Sequence, residues 1–300
     1  MINTITSPIT GKANVTVLEN IDCKSIIKQY KDDYNLDVSR SLNSVSHVSI
    51  CQCNDSGFRF YAPDSVAGDE QFYADFQEAL GEYYKPLRWE YIQCLNMLKR
   101  QDKVLEIGTG SGIFFEKLNE VVENPVGLEL SNSAIMVAKS KGLNVINELI
   151  EVHAQKNEST YDVVCFFQVL EHISDVKSFI ESAVKCLKPD GKLIIAVPNN
   201  NPYFYRYEKY YTSNLPPHHA GLWDKETFEK LVDYFPIDKV IIKTEPLFGI
   251  VHQLKLWLKY ENHTFLEKIV NKTPHWILRK LGILNPFFEG VNIFAVFKKR

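Results

Sequence analysis

The chain has 300 residues, 45% of them hydrophobic and 12% aromatic, and carries a formal net charge of −3. This composition describes a globular chain with a sizeable core, long enough for one large domain and an appendage. The near-balanced charge gives no surface for a polyanion, so nucleic acid is not an expected partner.

No stretch is long and apolar enough to span a bilayer, and the opening MINTITSPITGK lacks a signal-peptide core. Six cysteines (Cys23, Cys51, Cys53, Cys94, Cys165, Cys186) form no disulfide-like framework, and Cys165 sits in an apolar run as a buried thiol. The expected setting is a reduced cytoplasm.

Residues 1–70 lack the regular strand–helix alternation of the chain beyond Lys103. Ser25–Tyr30 has helical spacing, Asn35–Val38 reads as a turn, and Gly57–Pro63 as a strand ending at proline. This segment reads either as a packing or dimerisation element or as a lid over a site. From Glu70 to Leu98, Phe72, Phe76, Leu80, Tyr83, Tyr84 and Leu87 recur at three- and four-residue steps, which predicts helices with a break at Pro86.

Lys103–Leu118 then reads as a short apolar strand, a glycine-rich turn and an amphipathic helix. Gly108, Gly110 and Gly112 leave room for a ligand, with Thr109 between the first two, and Glu106 at the strand's end can accept from an amine or hydroxyl. The spacing G-x-G-x-G departs from the dinucleotide fingerprint, which needs glycine where Ile113 stands. Pro125–Leu130 is a second strand ending in Glu129, and Ser131 caps a helix that stops at Gly142. Strand Asn144–Asn147 follows, and then Tyr161–Phe167, a continuous apolar run expected of a central strand buried on both faces. Helix Asp175–Leu187, a turn at Lys188–Gly191 and strand Lys192–Val197 complete the alternation, which predicts a doubly wound α/β architecture.

The E-x-G-x-G-x-G spacing from Glu106, the second acid Glu129, the run Val169-Leu170-Glu171-His172 and the run LKPDGKLIIAVP together resemble the class I S-adenosylmethionine-dependent methyltransferases. The resemblance covers most of residues 71–300 and implies a mostly parallel seven-stranded sheet, closed by an antiparallel last strand at Val291–Phe297. It implies S-adenosylmethionine as cofactor, held by Glu106, Gly108, Thr109, Gly110, Gly112, Glu129 and Leu130, with Gln168 near the site. The acid that contacts adenine in that family falls at Leu149 here, and Glu148 is the substitute. Tyr73 and Tyr84 are candidates for the cofactor's methionine end. Ser7-Pro8-Ile9-Thr10-Gly11 and Cys51-Gln52-Cys53 resemble the N-terminal zinc ribbon of bacterial members with one cysteine pair replaced, which implies a metal-free relic over residues 1–70.

The acceptor side falls beyond Pro198, where five tyrosines between Tyr203 and Tyr211 lead to Pro216-Pro217-His218-His219. The two histidines read either as a solvated loop pair or as a general base, with His172 the second candidate; a base titrating near neutrality suits a hydroxyl acceptor. No acid or cysteine at metal-site spacing completes a metal pair with them, so no metal is expected. The tyrosine-rich loop predicts O-methylation of a sugar or glycan intermediate, with a small-molecule acceptor as the alternative. A helical insertion over about 247–290 places Leu254, Trp257 and Leu258 on one face, which suits a core or homodimer helix or peripheral membrane contact through residues 250–284.

Overall fold

The computed structural model describes residues 4–80, 88–200, 210–245, 258, 263–274, 277 and 290–300. Strand β1 (Val15–Asp22) runs into helix α1 (Cys23–Tyr34), whose cap Asp22 accepts the Ser25 N–H at 3.0 Å. A short helix α2 (Ser39–Leu42) leads to strands β2 (His47–Cys53) and β3 (Arg59–Ala62), and helices α3 (Glu70–Leu80) and α4 (Trp89–Leu95) follow. The expected break at Pro86, and Tyr84 with it, lie outside the described residues.

Strand and helix then alternate: β4 (Val104–Ile107), α5 (Ile113–Val121), β5 (Val126–Leu128), α6 (Asn132–Ser140), β6 (Val145–Ile146), α7 (Ile150–Lys156), β7 (Tyr161–Phe167), α8 (Val176–Cys186) and β8 (Leu187–Pro198). The predicted turn at Lys188–Gly191 is drawn into β8, with Asp190 left-handed at φ 64°. The remaining elements are β9 (Gly221–Leu222), α9 (Lys225–Lys230), β10 (Ile237–Thr244), α10 (Thr264–Lys272) and β11 (Asn292–Lys299).

Seven strands form the main sheet in the order β10-β11-β8-β7-β4-β5-β6. Strands β4 to β8 are parallel, and β11 runs antiparallel between β8 and β10, as the resemblance implied. The buried apolar run of β7 pairs with β4 on one side and β8 on the other. Strand order reverses between β4 and β7, so a crevice opens beyond their C-terminal ends.

A second, antiparallel sheet has the order β1-β2-β3-β9. Its last strand comes from far along the chain, just past the paired histidines. The boundary at residue 70 therefore divides elements but not cores: Ile9, Cys53, Phe58 and Phe60 share one cluster with Trp223, Phe228, Phe166 and Ile195. The N-terminal unit also braces residues 211–224. Tyr30 Oη donates to the Leu215 carbonyl and Tyr61 Oη to the Asn214 carbonyl, each at 2.9 Å, while the Tyr34 and Ser213 hydroxyls meet at 2.6 Å. Buried Arg59 reaches the Asn200 carbonyl and pairs with Asp224 at 3.2 Å.

The ribbon-like positions do converge, but not as the Cys51–Cys53 pairing expected. One knuckle runs from Ser7 to Thr10 and ends at left-handed Gly11 (φ 69°), and the other from Cys53 to Ser56, ending at Gly57 (φ 78°). Cys51 lies inside strand β2, where no knuckle turn is available, and packs into the core. Around the Cys53 thiol, the Thr10 hydroxyl stands at 3.9 Å and the Ser56 N–H at 3.5 Å. Burial pushes this thiol up, but hydrogen bonds from Ser56 and Ser7 outweigh it and hold the thiol below its ordinary value. One thiol and three hydroxyls are a poor zinc donor set.

Of the expected insertion, helix α10 exposes Phe265, Leu266 and Ile269, while Leu254 and Trp257 lie outside the described residues. Among the described residues no helix is long and apolar enough to cross a membrane.

Tyr30→Phe removes one hydrogen bond to the braced loop without opening a cavity. It is expected to cost about 1 kcal/mol, read as a lower urea midpoint at unchanged slope.

Candidate active site

The crevice beyond β4, β5, β7 and β8 is a cavity of about 810 Å³, within the ~300–1,000 Å³ typical of small-molecule sites. Its first wall is the glycine loop. Gly108 is left-handed at φ 74°, and a Cβ there would stand 2.5 Å from Val169 Cγ2. Gly112, at φ 84°, caps α5, and its Cβ would meet Leu143 Cδ1 at 2.3 Å. Both positions are closed to any side chain, by backbone conformation and by space.

The loop delivers Thr109 and the Gly110 N–H to the cavity beside two acids of different standing. Glu129 Oε2 accepts from the Gly110 N–H at 2.7 Å, and its Oε1 accepts from the Leu130 and Ser131 N–H groups at 2.8 Å each. Glu106, only 3% exposed, carries a buried Oε2 with no partner among the described residues, and the Thr109 hydroxyl likewise has none among them. Burial pushes the Glu106 carboxyl well above the usual carboxylate range, and the Glu129 charge raises it further. Orphaned acceptors above a glycine cradle call for a ligand rich in amine and hydroxyl donors, and S-adenosylmethionine fits that description.

Around the rim, Gln168 ends β7 in a left-handed conformation (φ 56°) that sends its N–H to the Ala196 carbonyl at 2.8 Å. Its side chain meets Asn292 at 3.3 Å. Leu130 lies half-exposed on the same rim. Glu148 reaches the cavity, but its Oε2 is held by His153 Nδ1 at 2.8 Å, whose other nitrogen meets the Tyr161 hydroxyl. The expected adenine contact is thus at best shared with a core histidine, because β6 ends at Ile146 and turns Glu148 toward α7.

At the opposite end the structure corrects the reading of the histidines. His218 and His219 are 5% and 6% exposed, so they are not a solvated pair, and His172 packs against both, with ring centroids 4.6–5.1 Å apart. Burial pushes all three imidazoles down, His172 to about 4, so none titrates near neutrality as the base reading expected. Each Nδ1–H donates to an oxygen behind the ring. His172 donates to the His218 carbonyl at 2.6 Å, His218 to the Ser213 carbonyl at 2.7 Å and His219 to Asn214 Oδ1 at 3.0 Å. Asn214 Nδ2 in turn donates to Asn200 Oδ1 at 2.7 Å, with the Asn214 oxygen toward His219. Tyr73 lines the cavity and donates to the His218 carbonyl at 3.0 Å, a brace on the histidine loop.

Sequence reasoning missed Glu171, Ser213 and Asn214. Glu171 stood unassigned within the V-L-E-H run. Ser213 and Asn214 each precede their histidine by five residues, a spacing that marks the loop only once it is folded.

Residues 76–235 match the model of a family described as a methyltransferase domain. A ubiquinone biosynthesis O-methyltransferase of Hydrogenovibrio crunogenus is 31% identical over 122 residues, 39% of this chain and 50% of the relative. One from Salmonella paratyphi A is 32% identical over 176 residues, 55% of this chain and 72% of the relative. The chain thus spans about half the length of the first of these relatives. A crystal structure of a SAM-dependent methyltransferase from Archaeoglobus fulgidus superposes with TM-score 0.51 at 16% identity, covering 76% of this chain and all of that one.

Two outcomes are expected. Gly108→Ala adds left-handed strain of ~1–2 kcal/mol before any clash with Val169, so calorimetry should show S-adenosylhomocysteine binding weakened about tenfold or more. In the cofactor-free protein, Glu106 has its folded pKa raised, so its stabilising contribution is complete below the unfolded value and is lost as pH rises toward the folded one. Urea titrations should therefore find Glu106→Gln more stable than wild type at pH 8, with the gap narrowing toward pH 5.

Proposed function

The chain belongs to the methyltransferase-domain family, and from that premise we propose that it transfers the methyl group of S-adenosylmethionine to a hydroxyl on the ring of a small aromatic molecule. The observation that carries this reading is one cavity lined both by Glu106, Thr109 and Glu129 and by the imidazoles of His172, His218 and His219. Tyr91, Phe114 and Phe167 line the cavity and suit a flat ring. The O-methyltransferases of ubiquinone biosynthesis among its relatives support a small-molecule acceptor over a glycan. The sugar reading drew on tyrosines that lie mostly within residues 201–209, outside the described residues.

When bound, S-adenosylmethionine supplies a methyl carbon on cationic sulfur, which leaves as a neutral thioether with the C–S electron pair as the O–C bond forms. The chain's own residues position and desolvate. Glu106 and Thr109 would offer buried polar oxygens to the cofactor's donors, and Glu129, held by three backbone N–H groups, would take its hydroxyls. With Nδ1 protonated, each histidine carries its lone pair on Nε2 and can accept from the acceptor hydroxyl. An imidazole held near 4 is a weak base, so the chemistry favours a phenol, with pKa near ~10, over a less acidic sugar hydroxyl. Alignment of donor and acceptor at contact distance supplies most of the acceleration in such a transfer.

Supplied with methyl-labelled S-adenosylmethionine and a panel of catechols, simple phenols and free sugars, the protein is expected to form labelled aryl methyl ethers, identified by mass spectrometry. Label confined to sugars or glycan lipids would overturn the reading.

A further inference from the structure

We infer that His172, His218 and His219 form a binding site for a divalent transition-metal ion of the zinc type at the acceptor end of the cavity. One ring nitrogen from each lies within 4.8 Å of the others. Tetrahedral zinc, with bonds of ~2.0–2.1 Å, asks for nitrogens about 3.4 Å apart, so shifts of under about 1 Å per ring close the site. The sequence offered only the adjacent pair; the third histidine arrives because Leu170–His172, the turn after β7, is tied to residues 218–223. Ala220 N–H donates to the Glu171 carbonyl at 2.8 Å and Trp223 Nε1 to the Leu170 carbonyl at 3.3 Å.

The tautomers agree. A metal-bound imidazole typically donates its other N–H to a carbonyl or carboxylate, which fixes ring orientation and strengthens the ligand. All three rings do this through Nδ1, two to backbone carbonyls and one to the side-chain oxygen of Asn214.

A second observation points the same way. Glu171 is 1% exposed and lines the cavity, its Oε2 has no partner among the described residues, and its Oε1 lies 3.8 Å from His172 Nε2. It is a buried acid beside the cluster, placed to serve as a fourth ligand or to orient a bound water. Three histidines with a fourth position toward a cavity is the donor set of catalytic rather than structural zinc.

The ion's role rests on the function proposed above, although its binding does not. A cation held by these three histidines would lower the pKa of an acceptor hydroxyl, whose proton would pass to water, in place of a strong base from the chain.

The test uses the full chain purified without a polyhistidine tag, equilibrated with Zn²⁺ or Co²⁺, desalted and assayed for metal by mass spectrometry. The wild type should retain one ion per chain. The His218→Gln/His219→Gln variant should retain none while still binding S-adenosylhomocysteine by calorimetry, and Asn214→Ala should bind zinc about 10–100-fold more weakly. Cys53→Ser should match wild type, which separates this site from the ribbon-like knuckles. Should the double variant not fold, the wild-type Co²⁺ spectrum decides: tetrahedral bands without thiolate charge transfer support the site. No retained ion, retention unchanged by the histidine substitutions, or a thiolate spectrum overturns it. Methyl transfer is assayed separately, so a metal-binding protein that fails to methylate phenols refutes the acceptor reading and leaves the site standing.

Discussion

The pairing of β3 with β9 is the contact on which the acceptor half of this molecule depends. Arg59 lies opposite Leu222 and Phe60 opposite Gly221, so the strand just past His218 and His219 is the edge of a sheet built from residues 15–62. Gly221 is needed there, because a Cβ would stand 2.6 Å from Phe58. Upstream, the loop is held by tyrosine hydroxyls, and just downstream by the Arg59–Asp224 pair, in which a bare buried charge would be costly on either side. A buried loop leaves its backbone groups without water, and here the N-terminal unit supplies the missing partners.

The two ends of the cavity solve opposite electrostatic problems. At the cofactor end, Glu129 is saturated with backbone donors while Glu106 Oε2 has none among the described residues, so the protein itself supplies little positive charge and few hydrogen-bond donors there. That shortfall is affinity held in reserve for a cationic ligand. At the acceptor end, three imidazoles are kept neutral by burial, with their N–H groups turned outward into the protein and their lone pairs left on the other nitrogen. Neither arrangement favours the folded state by itself, which is the usual mark of residues kept for chemistry.

Local chemistry explains what could be read in advance. The strand, glycine turn and helix of Lys103–Leu118, the capped helix after Ser131 and the apolar run of β7 are signals spread over a dozen residues or fewer, and each formed close to its expected place. The misreadings all required long-range information. His172 and His218 are far apart in sequence, so no spacing rule joins them, and a loop histidine is solvated by default unless something covers it. Ser56 was invisible as a knuckle position because a serine in a turn ordinarily needs no explanation. Glu148 sits next to the right strand, but the competing pull of His153 is set by how α7 packs.

The same β3–β9 pairing sets an order of events during synthesis. Strands β1, β2 and β3 emerge together, but the partner that covers β3 leaves the ribosome roughly 160 residues later. At ~5–20 residues per second, that is a wait of roughly 10–30 s with Phe58 and Phe60 on an open edge, the kind of edge that invites a second chain to pair with it. The three-strand nucleus must persist as a waiting half-sheet, and its completion coincides with the arrival of the histidines. The acceptor site therefore cannot form until residues 221–222 have found the strands built from residues 15–62.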